Sequence, residues 1–307
     1  MPVPQEIEFP EVPLRRCTTE EYCTALHERG ELPFWWWGRY GWRGRNFSLP
    51  FRDRAGHWWY EALPGFAWPV EILEPLPAAE VRVPLARSYW GYQHAVPEGA
   101  SANGKLVINT IMDLAAYGPS SINDKRRNAV RKGLRSCDVV AVEAVDERWL
   151  VGAAGCWRDL VQRSGWNRPL DAGTLRRRWE DLFRLPGATT IMAFDRESGQ
   201  VAGFLITKVY GRTAYVDTLA SASELLHCNP NDALVYTFVR NAQRLPGVAQ
   251  VHYAIKSTAP SLEKFKVSLG FEATALPARV CTRVPGALGL LRLVRLLKYK
   301  QLMGQLR

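Results

Sequence analysis

Between Ser120 and Val280 the apolar residues switch repeatedly between two spacings, and this limits the fold more than any other feature of the chain. Five stretches carry apolar residues at helical spacing: NDKRRNAVRKGLR from Asn123, RWLVGAAGCWRDLVQRSG from Arg148, GTLRRRWEDLFRL from Gly173, NDALVYTFVRNAQRL from Asn231 and SLEKFKVSLG from Ser261. Between them lie β-branched runs of strand length: DVVAVE, TTIMAFD, QVAGFLITKVY, TAYVDTLAS, VAQVHYAIK and FEATALPARV. Each helix has one apolar stripe to bury, as Val235, Phe238, Val239, Ala242 and Leu245 show before the stop at Pro246-Gly247. Alternating elements of this kind bury their faces together only in a sheet covered by helices, so an α/β (α+β) fold with a mixed sheet is predicted. The turn Arg196-Glu197-Ser198-Gly199 joins two of the strands directly.

The flanks differ in texture. Residues 1–115 are dense in aromatics and Pro, as in PFWWWGRYGWRGRNF and GHWWYEALPGFAW, and predict short strands and hairpins. From residue 283 a basic, Leu-rich tail follows. With 307 residues, more than one unit is expected: an aromatic-rich, mainly β region over 1–115, a helix-and-strand domain over 116–282, and a basic amphipathic helix in 283–307. The formal charge of +10 favours anionic partners without choosing between nucleic acid, phosphorylated cofactors and a membrane surface. Six Cys without a CxxC pair imply no metal site and a reducing, cytoplasmic setting, in keeping with the absence of a charged-then-apolar leader. No run of eighteen apolar residues is present to span a bilayer.

Two pieces of the middle region carry a family resemblance. RRNAVRKGL, entering a strand, and FKVSLGF, after the fifth strand of the series, are similar to motifs of the Fem-type branch of the GNAT acyltransferase superfamily. The order of elements over about 120–280 resembles that family too. The resemblance implies a GNAT-like mixed sheet and attack of an amine on an activated acyl group. The donor would be a CoA thioester or an aminoacyl-tRNA, a co-substrate with no tightly bound cofactor. The N-terminal region is too short for a complete second GNAT repeat.

The resemblance also implies where a site would lie. A GNAT donor places its pyrophosphate on the helix after the fourth strand, where backbone N–H groups and the helix dipole favour an anion. Here that segment is SASELLHCNPN, with Ser221, Asn229 and Asn231 as the donor-binding candidates. It has no Gly for close backbone approach, Glu224 and Asp232 add negative charge, and the Asn-Pro-Asn-Asp run also reads as a plain helix start. Lys266 stands where ordinary GNAT enzymes carry a Tyr, as in the Fem-type signature. A lysine there stabilises an oxyanion or a phosphate, or is a solvated helix residue. Asp217, among apolar strand residues, is the candidate base, because a carboxylate there is costly unless paired or used. His227 and His252 are its competitors, each otherwise a structural histidine. Lys256 and Ser257, at the end of the fifth strand, lie where acyl group or amine would pass.

The stretch from Asn123 to Arg135 has six basic residues and one acid. On a helix Arg127, Arg131 and Arg135 share one row, each adjacent pair costing roughly 0.2–0.5 kcal/mol unless an anion faces them. Arg127 and Arg131 are therefore candidates for substrate phosphate or carboxylate, against a simple solvated face. Nucleic acid is less favoured, since 165–186 leaves no room for the long helical arm of tRNA-dependent Fem enzymes. GASANGK at 99–105 lacks the Ser or Thr of a phosphate-binding loop and reads as a turn. The Trp-Arg interleaving of WWWGRYGWRGR reads as packing, with base stacking as the alternative. In the tail, Leu290, Leu293, Val294 and Leu297 line one stripe, so the segment 287–300 either docks on the fold or lies on the inner membrane surface. The expected function is an N-acyltransferase acting on a small-molecule or peptide amine. The rival is a catalytically silent protein of this fold that binds RNA or a membrane.

Overall fold

The structure, a computed structural model, describes residues 5–29, 49–63, 65–164, 170–257, 259–294, 300 and 302–305. Helix α1 (Thr19–Arg29) precedes five strands: β1 (Phe51–Arg52), β2 (Trp58–Leu63), β3 (Phe66–Pro69), β4 (Gly91–Ala95) and β5 (Gly104–Ile111). Then come α2 (Asp124–Ser136), β6 (Cys137–Val142), α3 (Glu147–Ser164), α4 (Ala172–Phe183), β7 (Ala188–Asp195), β8 (Val201–Tyr210) and β9 (Thr213–Ser221). The chain continues with α5 (Pro230–Ala242), β10 (Gln250–Ile255), α6 (Pro260–Ser268), β11 (Glu272–Thr282) and α7 (Ala287–Val294). Every element predicted between 120 and 280 is present. Local chemistry starts the helices: the side chain of Asn123 accepts from the N–H of Arg126, and that of Asp171 from the N–H of Thr174.

All strands join in one sheet, in the order β1-β2-β3-β4-β11-β5-β10-β9-β8-β7-β6. Helices cover both faces. On one, Val130 of α2 and Leu234, Phe238 and Val239 of α5 pack with Ile191, Leu205 and Val251. On the other, Tyr22 of α1, Trp149 and Trp157 of α3 and Trp179 of α4 pack with Phe204, Ile206 and Tyr215.

The expected division at residue 115 falls inside this sheet. β11, from the far end of the chain, pairs antiparallel with β4 over five residues and with β5 over seven. Strand edges carry unpaired backbone groups, and insertion of β11 satisfies two of them at once. The N-terminal region is mainly β as expected, apart from α1. The segment PFWWWGRYGWRGRNF lies outside the described residues. Gly99–Lys105 leads from a turn into β5, and no phosphate loop forms. The tail docks at its ends: Gln93 Nε2 donates to Leu302 O (2.8 Å), and Lys105 N to Met303 O (3.2 Å). Leu290 and Leu293 of α7 point outward instead, and residues 295–299 lie outside the description.

Candidate active site

β9 and β10 run parallel but pair at three positions only, Thr213–Gln250, Ala214–Val251 and Tyr215–His252, so among the described residues they part beyond Tyr215 and His252. Both are irregular there. The β8–β9 register jumps between Ile206–Thr218 and Thr207–Val216, which makes Asp217 the extra residue of a bulge. The β10–β5 register jumps between His252 and Ile255, and Ala254 within it has φ 60°, a left-handed conformation that costs a non-glycine residue roughly 1–2 kcal/mol. A bulge in one strand beside a left-handed residue in its neighbour re-aims side chains where the strands separate.

One face of the opening is lined by a row of directly paired residues: Thr110 opposite His252, His252 opposite Tyr215, Tyr215 opposite Lys208. The rings form a wall, with Tyr22 stacked on Tyr210 (4.6 Å), Tyr210 on Tyr215 (4.4 Å), and His252 tilted against Tyr215 (5.2 Å). Lys208 is buried, and its Nζ contacts Asp217 Oδ1 at 2.7 Å. The carboxylate anticipated from its apolar setting is thus paired. Burial pulls the Lys208 ammonium below its ordinary pKa and pushes the Asp217 carboxyl above its own, each offset in part by the other. Asp217 Oδ2, Tyr22 Oη and His252 Nε2 are buried without a hydrogen-bond partner. Burial, then the charges of Lys208 and Lys266, push the His252 imidazole down to about 3, so it is neutral and within electrostatic reach of both ammonium groups.

The second group gathers at α6. Lys266 is 1% exposed, so it is not a solvated helix residue but lies in the interior. Its Nζ donates to Glu263 Oε1 (3.3 Å) and lies 5.0 Å from the centre of the Tyr253 ring. The same Glu263 oxygen accepts from the Ser257 N–H (2.6 Å) and from Asn109 Nδ2 (3.1 Å), while Asn109 Oδ1 is buried and unpartnered. Burial lowers the Lys266 pKa, and Glu263 opposes that shift. The structure brings Lys266 and the Ser257 N–H to one oxygen of a carboxylate not singled out from the sequence. The Glu263–Lys266 pair at i, i+3 was the available signal. Asn109 had none, because β5 lies in the region assigned elsewhere. Lys256 holds the β10–β5 edge, its N–H donating to Val107 O (2.9 Å).

The start of α5 is packed against α2. A Cβ on Gly133 would lie 2.5 Å from Asn229 O, so only glycine lets the helices approach this closely. Asn229 caps α5 with φ 55° and no side-chain bond. Asn231 Oδ1 is buried without a partner. Asp232, 5% exposed, accepts from Arg126 Nη1 (2.6 Å). Arg126 also stacks on Phe265 at 5.1 Å. Ser221 is buried, its carbonyl taking Arg163 Nη2 at 2.8 Å. The contacts of His227 are local, with Glu224 O and Cys228 Sγ.

The arginine row is broken up. Arg127 turns into the preceding loop, donating to Pro119 O (2.9 Å) and Ile122 O (2.5 Å) and pairing with Asp124. Arg131 reaches Gln5 O (3.4 Å) and, with Arg135, lines a groove of about 830 Å³ between residues 6–10 and β6. β6 is three strands from β9, or about 14 Å at ~4.8 Å per strand. Arg126 is the helix's basic residue that reaches α5 and α6.

Comparison with known proteins bears on the fold alone. No family model and no curated protein matches the chain. Among solved structures, L-PGS from Bacillus licheniformis is similar over 97% of this chain and 100% of that one, at 13% identity and a TM-score of 0.52. FemX is similar over 64% of this chain and 66% of its own, just under two thirds, at 14% identity and a TM-score of 0.47. A tandem GNAT protein from the clavulanic acid biosynthesis pathway aligns over 66% and 67%, at 15% identity and a TM-score of 0.37. The chain shares its overall fold with the L-PGS structure.

Proposed function

We propose that this protein transfers an acyl or aminoacyl group to an amine in the opening between β9 and β10. The observation that supports the reading is that two buried lysine–carboxylate pairs flank β10, Lys208–Asp217 on the side of His252 and Lys266–Glu263 against Tyr253, with His252 under the influence of both lysines. Amine attack on an acyl carbon needs a group to take the amine proton and a positive group for the oxyanion. Asp217 suits the first role, since Oδ2 is unpartnered and burial raises its pKa, against the lowering by Lys208. Lys266 suits the second, its ammonium held by Glu263 where little water screens it.

The donor follows less directly. At the start of α5 the buried Asp232 carboxylate, paired with Arg126, already sets a negative charge where a donor phosphate would sit. This weighs against a CoA pyrophosphate held at that point, while the short 165–186 segment weighs against an aminoacyl-tRNA, so both donors and the rival reading of a silent protein that binds RNA are put to the test. Thermal stabilisation by acetyl-CoA, longer acyl-CoAs, aminoacyl-tRNA and bulk uncharged RNA, followed by turnover of whichever donor stabilises, distinguishes these. The expected result is that Lys266→Met keeps the donor-induced stabilisation while kcat falls by a factor on the order of 10²–10³. Stabilisation by uncharged RNA alone, without turnover, would replace the enzyme reading with the binding one.

A further inference from the structure

Among the described residues the sheet ends in β1 on one side and in β6 on the other. β1 has two residues, whereas β6 has six, every one of them paired with β7. A strand with a single neighbour keeps the N–H and C=O of every second residue pointing outward, and such a row can pair with another strand. From Asp138 to Val142 no backbone bond other than those to β7 is made among the described residues. The groove of about 830 Å³ beside this strand is lined by Cys137, Asp138, Val139 and Val140 in succession. Successive strand residues point to opposite faces, so a groove that touches all four follows the edge of the strand and leaves it open. Edges are commonly blunted by Lys, Pro or a bulge. β6 has neither Lys nor Pro, its register with β7 is unbroken, and its one charge, Asp138, is already paired with Arg196 (2.9 Å).

The charges at the two ends of β6 indicate what fits there. Arg135 lies two positions before the strand and Glu143 one position after it; both are exposed, and neither side chain has a partner among the described residues. A strand that is basic before and acidic after complements itself. Laid antiparallel on a second copy about Val139, the end with Arg135 meets the end with Glu143 of the second copy, and symmetry repeats the pair. We infer that the protein forms a symmetric dimer in which β6 pairs antiparallel with β6 of a second copy, joining the two sheets into one. A strongly acidic or basic peptide suits the groove less, because its charges balance: Arg131, Arg135 and Arg196 against Glu6, Glu8 and Asp138. The β9–β10 opening begins three strands away, so the junction leaves it clear, and the dimer does not depend on which reaction runs there.

The test is sedimentation velocity of the full chain between roughly 1 and 100 μM, with amide hydrogen exchange at both ends of that range. A concentration-dependent dimer is expected, with exchange in 137–142 slowing as it forms. Arg135→Glu and Glu143→Arg each set like charges opposite one another, twice by symmetry, and each should raise the dimer dissociation constant about tenfold. The double variant, Arg135→Glu with Glu143→Arg, restores opposite charges and should bring the constant back toward that of the wild type. Both positions are exposed, so all three variants should fold. A protein that stays monomeric throughout, single reversals without effect, or a double variant no better than the singles would each overturn the proposal. So would a dimer whose β6 amides exchange as fast as those of the monomer.

Discussion

Glu263→Gln isolates the charge that holds Lys266 in the interior. Gln keeps an oxygen for the Ser257 N–H, Asn109 Nδ2 and Lys266 Nζ, so shape and the acceptor survive and only the negative charge is lost. The Lys266 ammonium is then 1% exposed without an ionic partner. Breaking a buried pair by removing one member costs about 3–5 kcal/mol, and because the Glu263 side chain is 15% exposed the lower end applies, about 3 kcal/mol. For a chain of this size roughly 2 °C per kcal/mol gives a fall of about 6 °C in melting temperature. The deficit should depend on pH. Lys266 already has a folded pKa below its ordinary 10.5, so between the lowered value and 10.5 the unfolded chain binds more protons, and stability rises with pH across that window. Loss of Glu263 lowers the folded pKa further and widens the window downward. The gap between variant and wild type is therefore largest near neutral pH, where both members of the wild-type pair are charged, and narrows toward alkaline pH as the lysine loses its proton and toward acid pH as carboxylates gain theirs. Melting curves of both proteins across a pH series are the assay. A deficit that stays constant with pH would show that the Lys266 charge is not what Glu263 compensates, and would remove the electrostatic basis for its proposed role.

Two further predictions test the backbone around the opening. Gly133→Ala puts a Cβ 2.5 Å from Asn229 O and 3.0 Å from Ala233 Cβ, so α2 and α5 must separate; a loss of about 1–3 kcal/mol by denaturant titration is expected, and an unchanged midpoint would refute the close crossing. Ala254→Gly relieves the left-handed strain at φ 60° and should leave the melting temperature unchanged or raise it, by up to about 1 kcal/mol of stability; clear destabilisation would show that Ala254 is not strained.

The sequence by itself determined the elements of residues 120–280, because apolar periodicity and helix caps act within a few residues. Asn123 and Asp171 start their helices by bonding N–H groups three residues on, whatever the rest of the molecule does. The same local pattern made Asp217 and Lys266 stand out as charges in apolar company, and both are buried in ion pairs. What sequence could not decide was partnership. Arg127, Arg131 and Arg135 are equivalent on a helical row. Only the loop carbonyls of Pro119 and Ile122 take Arg127 away, while Arg126, off that row, meets Asp232 and Phe265. Likewise nothing near residue 115 shows that β5 will sit between β10 and β11, or that Asn109 will share Glu263 with a lysine from α6. Those choices depend on which strand edges are left to be satisfied once the whole sheet assembles, a condition set across more than 150 residues of chain and legible only in the tertiary structure.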